Sequence, residues 1–295
     1  MASNTIYFSA IIALLLHAVP SRPLIHEKSQ LEFIQTLQDG IKGDKKAGIH
    51  QLKLYLQKFG YLNDSTGGVD DDSMEGAIRT YQINFNLKPT GVLDDETVAT
   101  MMMPRCGVAD ITHGKTRMKA GNHQHTDYVF YEGEPKWPLT SKILTWKLMP
   151  GSRQDAVAPV RDYALLSWAG IGPFAYEQVG EDAISQIAIG FRTREGGDPI
   201  GKMDGPYGVL AYAFPPQDGH MYFDGDENWA INAPTPQQID MGTVALHELG
   251  HILGLGHSSD PSAVMFPIVQ PGTIKGLEKD DIAGIEALYN ITRLS

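Results

Sequence analysis

The chain has 295 residues, 42% of them apolar, which is enough for a leader segment and two modest domains with real cores. Its formal net charge is −11, from 24 Lys and Arg against 35 Asp and Glu. That balance repels phosphate backbones and excludes nucleic acid as a natural partner.

Ile6 to Leu16 is an apolar run, followed by His17, Ala18, Val19, Pro20 and Ser21. It is short for a bilayer span and fits a secretory signal peptide over residues 1–21, although its start lacks Lys and Arg. No later segment is apolar enough to span a membrane, and Asn290 to Ser295 carries no hydrophobic tail for a lipid anchor. Secretion to the extracellular space or cell wall is the expectation. Two sequons, Asn63-Asp64-Ser65 and Asn290-Ile291-Thr292, agree with export. The single cysteine, Cys106, can form no internal disulfide and so needs another role.

Helical spacing then marks three segments: Leu31, Phe33, Ile34 and Leu37; Ile49, Leu52, Leu54, Leu56 and Phe59; and Met74, Ala77, Ile78, Tyr81 and Phe85. Gly67-Gly68 and Pro89-Thr90-Gly91 punctuate them, and a fourth segment, Asp94 to Met102, has Asp94 as its N-cap. The tract from Gln57 to Thr100 resembles a peptidoglycan-binding-like helical module. Thr112 to Trp137 is polar and reads as an exposed linker, with His113, His123 and His125 solvated.

From Ile143 the pattern changes. Strands are expected at Ile143–Leu148, Ser185–Phe191, Gly208–Phe214 and Met221–Asp224. Helices are expected at Gln154–Ala169, with Val157, Val160, Ala164, Leu165 and Trp168 inward, at Gln237–Leu253 and at Glu278–Tyr289. The order implies an α+β domain with helices on a mixed sheet.

The chemistry concentrates in His247-Glu248-Leu249-Gly250-His251-Ile252-Leu253-Gly254-Leu255-Gly256-His257. His247 and His251 lie four apart, on one helix face, and can hold one zinc ion. Gly254 permits a sharp turn, and His257 returns as the third ligand. Three nitrogens leave one tetrahedral position open, as catalysis requires. Glu248 sits beside that position, where it can take a proton from water and pass it to a leaving amine. Cys106, within Pro104-Arg105-Cys106-Gly107-Val108-Ala109-Asp110, can fill the open position with sulfur. Arg105 and Asp110 can pair and stiffen that loop.

These residues carry the metzincin signature, and the Met-turn expected after it is present as Ser258 to Pro267 with Met265. Pro104 to Asp110 resembles the cysteine switch of the matrixins, and His247 to Pro267 their metal helix and Met-turn. Asp204 to Trp229 is most similar to plant members without a hemopexin-like domain. The resemblance implies a metzincin-type catalytic domain, a twisted mixed sheet with three helices, at residues 128–295. A small helical prodomain (22–110) and an activation linker (111–127) precede it. It implies a zinc endopeptidase acting on extended polypeptides and inhibited by its own prodomain. Met265 would floor the metal, and Asp280 would receive the new N-terminal ammonium, formed between Lys115 and Tyr128. Calcium would bind at Asp204, Asp224 and Glu227. Substrate would meet Leu210 and Ala211 on the strand before the metal helix, with Thr243 and Pro267 at the specificity pocket.

One departure stands out. Matrixins hold a second, structural zinc with three histidines and an aspartate. Here Gly197, Tyr212 and Tyr222 replace the histidines, Asp198 alone is kept, and His220 lies two residues out of register. That zinc is expected to be lost or weak. A catalytically silent metal protein is the rival reading, and the retained Glu248 argues against it.

Overall fold

The computed structural model describes residues 45–63, 71–118, 127–196, 203–232 and 234–292. The apolar N-terminal run, the segment around Leu31 and residues Gly197 and Asp198 lie outside them. Among the described residues no helix is long and apolar enough to cross a membrane.

The N-terminal unit contains α1 (Lys45–Lys58), α2 (Asp71–Asn84) and α3 (Asp95–Met101). Asp94 caps α3 as expected: its carboxylate accepts from Thr97 N at 2.9 Å, and Asp95 and Glu96 favour the helix N-terminus electrostatically. Leu52, Leu56, Phe59, Ala77, Ile78, Tyr81, Phe85 and Val98 form the buried seam; of the residues marked by spacing, Ile49 and Leu54 face outward instead and are exposed.

The larger unit is α+β. Its mixed sheet runs β1-β7-β8-β6-β4-β5. The strands are β1 (Arg105–Cys106), β4 (Ile143–Leu148), β5 (Ala175–Gln178), β6 (Ile187–Arg192), β7 (Val209–Ala213) and β8 (His220–Asp224). Among the described residues of this sheet, β7 and β8 make the one antiparallel pair. Alternation explains β4, where Leu144, Trp146 and Leu148 point into the core. β7 is buried at all five positions, because the N-terminal unit covers what would otherwise be an edge strand.

Three helical segments complete this unit and share its core. The first opens as a 3-10 turn (Gln154–Ala156), widens into a π-helical stretch (Pro159–Leu165) and closes as α4 (Leu166–Ile171). Sequence spacing suggests one plain helix there. Pro159 supplies no N–H and sits where the wider turn begins. The second, α5 (Met241–Leu253), is buried along its whole length. The third, α6 (Lys279–Tyr289), starts with a capping box between Glu278 and Asp281.

The expected exposed linker is partly structured. Ile111–Thr112 and Lys115–Thr116 form a two-stranded hairpin, β2 and β3, and Met118 is fully buried beside Tyr61. Farther on, Phe130 bridges to Leu255, and Tyr131 and Trp137 are buried. These apolar anchors lie too far apart in a polar tract to read as periodic. His113 is exposed, as expected, and faces Glu132. His123 and His125 lie outside the described residues.

Candidate metal centre

Helix α5 begins with Asp240, whose carboxylate accepts from Thr243 N at 2.7 Å, and ends at Gly254 in the left-handed region (φ 107°). A side chain at Gly254 would also run into Pro135 O. The sharp turn there carries the chain back to His257.

His247, His251, His257 and Cys106 are all buried, and one ligand atom from each lies within 4.8 Å of the others. Cys106 Sγ is 3.4 Å from His251 Nε2. Ligands on one tetrahedral zinc at about 2.0–2.3 Å stand roughly 3.3–3.8 Å apart; the Cys106–His251 separation matches that, and the donor set of three imidazoles and a thiol suits this ion. His247 Nε2 and His257 Nε2 have no hydrogen-bond partner among the described residues, although fully buried. Each Nδ1 is engaged instead: His247 with Val264 O at 2.7 Å, His251 with Leu255 O at 2.8 Å, His257 with Asp110 Oδ1 at 2.8 Å. Carbonyl and carboxylate oxygens only accept, so each Nδ1 carries the proton and each Nε2 presents a lone pair inward. Burial lowers all three imidazole pKa values, which keeps the rings neutral as metal binding requires.

Cys106 arrives on β1, which adds to the sheet parallel to β7. Arg105 N donates to Gly208 O, Cys106 N to Pro267 O and Gly107 N to Ala211 O, each at 2.8–2.9 Å. The predicted substrate positions Ala211 and Pro267 thus grip the segment bearing the thiol. Leu210 has its side chain in the main core. Thr243 is buried; its hydroxyl donates to Asp240 Oδ1 and accepts from Lys275 N, tying the helix to the loop after Gly272. Burial, and then the Glu248 carboxylate beside it, push the Cys106 thiol well above its usual pKa. A cation at the centre would reverse that bias.

Behind Cys106 lies a dry ionic knot. Arg105 donates to Asp110 Oδ1 at 2.7 Å, and its guanidinium lies 3.6 Å from the Phe59 ring centre. Tyr61 donates to Asp110 Oδ2 at 2.8 Å. Burial opposes the Asp110 charge, but Arg105 and His257 outweigh it and hold the pKa down at about 2.

Met265 lies under the centre: a side chain on Gly250 would strike its sulfur. Asp281 fixes this turn by accepting from Val264 N, Met265 N and Glu278 N at 2.8–3.0 Å. The sequence reading did not pick out Asp281; its signal is the three-residue spacing from Glu278. Asp281→Ala leaves three donors without that acceptor. It is expected to cost about 3 kcal/mol and lower Tm by on the order of 10 °C, measurable by calorimetry.

Asp280 accepts from Asp127 N, Tyr128 N and the Ser258 hydroxyl. Asp204, Asp224 and Glu227 are near enough for their charges to act on one another, but their ligand atoms do not close into a cluster as those of the three histidines and Cys106 do. Asp204 accepts from Val209 N and from Lys58 Nζ of α1, and Asp224 from Gly205 N and Asp226 N. Glu227 Oε1 is buried with no partner among the described residues. Tyr212 and Tyr222 face each other across β7 and β8, their ring centres 5.4 Å apart, with His220 paired to Asp218.

A matrixin family model matches residues 136–290, which contain the three histidines. The chain belongs to the matrixin family. A peptidoglycan binding domain model matches residues 45–101, the N-terminal helical unit. Metalloendoproteinase 5-MMP of Arabidopsis thaliana is 39% identical over 261 residues, covering 84% of this chain and 72% of the relative. Metalloendoproteinase 1 of Glycine max is 37% identical over 258 residues, 84% of each chain. Matrix metalloproteinase-20 of Homo sapiens is 34% identical over 245 residues, 80% of this chain and 46% of the relative. This matrixin is therefore a zinc-dependent metalloendopeptidase, and its substrates are polypeptides.

Proposed function

We propose that the chain is the latent, secreted precursor of this endopeptidase, silenced by Cys106. The supporting observation is Cys106 Sγ lying 3.4 Å from His251 Nε2, inside the cluster of three histidines. His247, His251 and His257 would hold zinc through Nε2, with Cys106 as the fourth ligand. Zinc supplies Lewis-acid polarisation of a scissile carbonyl and acidifies water. In the precursor the sulfur fills the position a substrate would need, and β1 occupies the edge of β7. Once the prosegment leaves, that edge is open to an extended peptide through main-chain bonds. Glu248 then takes a proton from the attacking water and returns it to the leaving nitrogen.

On this reading residues 1–21 are the signal peptide, 22–110 the prosegment, 111–127 the activation linker and 128–295 the catalytic unit. Asp280, which bonds to the Asp127 and Tyr128 amides, would take the new N-terminal ammonium after cleavage nearby. The reading is tested by isolating the active form, sequencing its N-terminus and assaying peptide hydrolysis before and after processing. Equal hydrolysis by intact and processed chains would sink it. The second zinc would not be held, since Tyr212 and Tyr222 stand where matrixins place histidines; two tightly bound zincs per processed chain would contradict this.

Calcium is the cation proposed for Asp204, Asp224 and Glu227. Burial, then neighbouring carboxylates, lift Asp224 to about 6 and Glu227 to about 8. Unfolded carboxylates titrate near 4, so the folded chain binds protons more tightly. Stability from these two groups is therefore highest below about pH 4 and is lost as pH rises towards 8. A divalent cation replaces those protons, so the Tm gain with calcium should be larger at pH 8 than at pH 5. Asp224→Asn should reduce that gain. Scanning calorimetry with and without calcium checks both.

A further inference from the structure

We propose that Asp110 is a positioning residue for the metal: in the precursor it holds His257 in its ligating tautomer, and it departs with the prosegment. The inference rests on the three-histidine zinc reading above. Each metal-facing imidazole needs a partner at Nδ1 to fix its orientation and raise its basicity. For His247 and His251 that partner is a main-chain carbonyl of the catalytic unit itself, Val264 and Leu255. For His257 it is the Asp110 carboxylate at 2.8 Å, from a residue 147 positions away in the chain. Both side chains are fully buried, which shields the bond from bulk solvent.

The Asp110 carboxylate is itself held by two donors besides His257. Arg105 shares Oδ1 with His257, Tyr61 donates to Oδ2, and Asn84 donates to the Tyr61 hydroxyl at 3.2 Å. The backbone fixes the residue as well: Asp110 N donates to Phe59 O, and Arg117 N to Asp110 O. A pairing with Arg105 that only stiffens the loop does not require contact with His257. The observed geometry has Asp110 doing both.

The consequence is that processing changes the centre twice. Loss of Cys106 opens a position. Loss of Asp110 removes a negative charge from behind His257 and leaves that imidazole without its acceptor. The precursor should keep zinc more firmly than its thiol alone explains, and the processed enzyme should present a more electron-poor centre.

The test uses the full-length precursor with Asp110→Asn, Asp110→Glu and Tyr61→Phe. Zinc release to a chromogenic chelator is timed, and visible spectra are recorded after cobalt substitution. Asp110→Asn keeps an acceptor but loses the charge, and should speed zinc release roughly 10- to 100-fold and shift the cobalt bands. Asp110→Glu should restore part of the wild-type rate. Tyr61→Phe, which weakens the knot without touching His257, should leave both readouts near wild type. Wild-type release rate and unshifted bands in Asp110→Asn overturn the proposal, as does an equal effect from Tyr61→Phe. If Asp110→Asn does not fold, proton NMR of the zinc-loaded wild type decides. The His257 Nδ1 proton should lie far downfield in the precursor and move upfield on processing; an unchanged shift overturns the idea. A precursor that binds no zinc at all would instead remove the underlying reading.

Discussion

Replacing Glu248 with alanine or glutamine in the processed enzyme is expected to cut turnover about a thousandfold, with zinc still bound. That loss corresponds to roughly 4 kcal/mol of transition-state stabilisation. Glu248 is buried on α5 between two metal-facing histidines, close enough to Cys106 to raise the thiol pKa. The carboxylate therefore already faces the position that the thiol vacates. It is no part of the zinc ligand set, so metal content should stay at the wild-type level while hydrolysis of a quenched fluorescent peptide collapses. Retained activity in the Gln variant would mean that another group moves the proton.

Changing Cys106 to serine should make the uncleaved chain hydrolytic. A serine hydroxyl is a far poorer zinc ligand than a thiolate. If the sulfur bond favours the closed arrangement by about 3 kcal/mol, its loss raises the open population roughly 100-fold. Activity should not reach that of the processed enzyme, because the main-chain bonds from Arg105, Cys106 and Gly107 still hold β1 in the cleft. Peptide hydrolysis by a chain shown intact on a denaturing gel is the measurement. A serine variant as silent as the wild-type precursor would show that strand insertion alone keeps the enzyme off.

The parts of this molecule legible in its sequence are those governed by short spacings. His247, Glu248, His251 and His257 sit within eleven residues, and one helix with one glycine turn determines their arrangement. Asp94 and the seam of α1 and α2 follow equally local rules. Apart from Cys106 at the histidine cluster, which a lone cysteine and the family resemblance signalled, contacts across long loops were not legible. β1 is two residues long, and its pairing with β7 depends on a cleft built a hundred residues later. The same holds for His257 with Asp110 and for Lys58 with Asp204. The π-helical stretch was hidden for another reason: its apolar residues keep nearly helical spacing while the backbone widens at Pro159.

One apolar cluster joins Leu56, Phe59, Tyr81 and Phe85 of the N-terminal unit to Met203, Val209, Tyr212 and Phe266 of the catalytic unit. If the junction is cut as proposed and the N-terminal unit leaves, a greasy strip would be uncovered along a strand that has just lost its neighbour. On the proposed processing, the released protease should be stickier than its parent, with copies of itself the nearest chains able to lie on that strip. Crowded batches of the activated protein should lose material to clumping and mutual digestion, while the uncut form stores well.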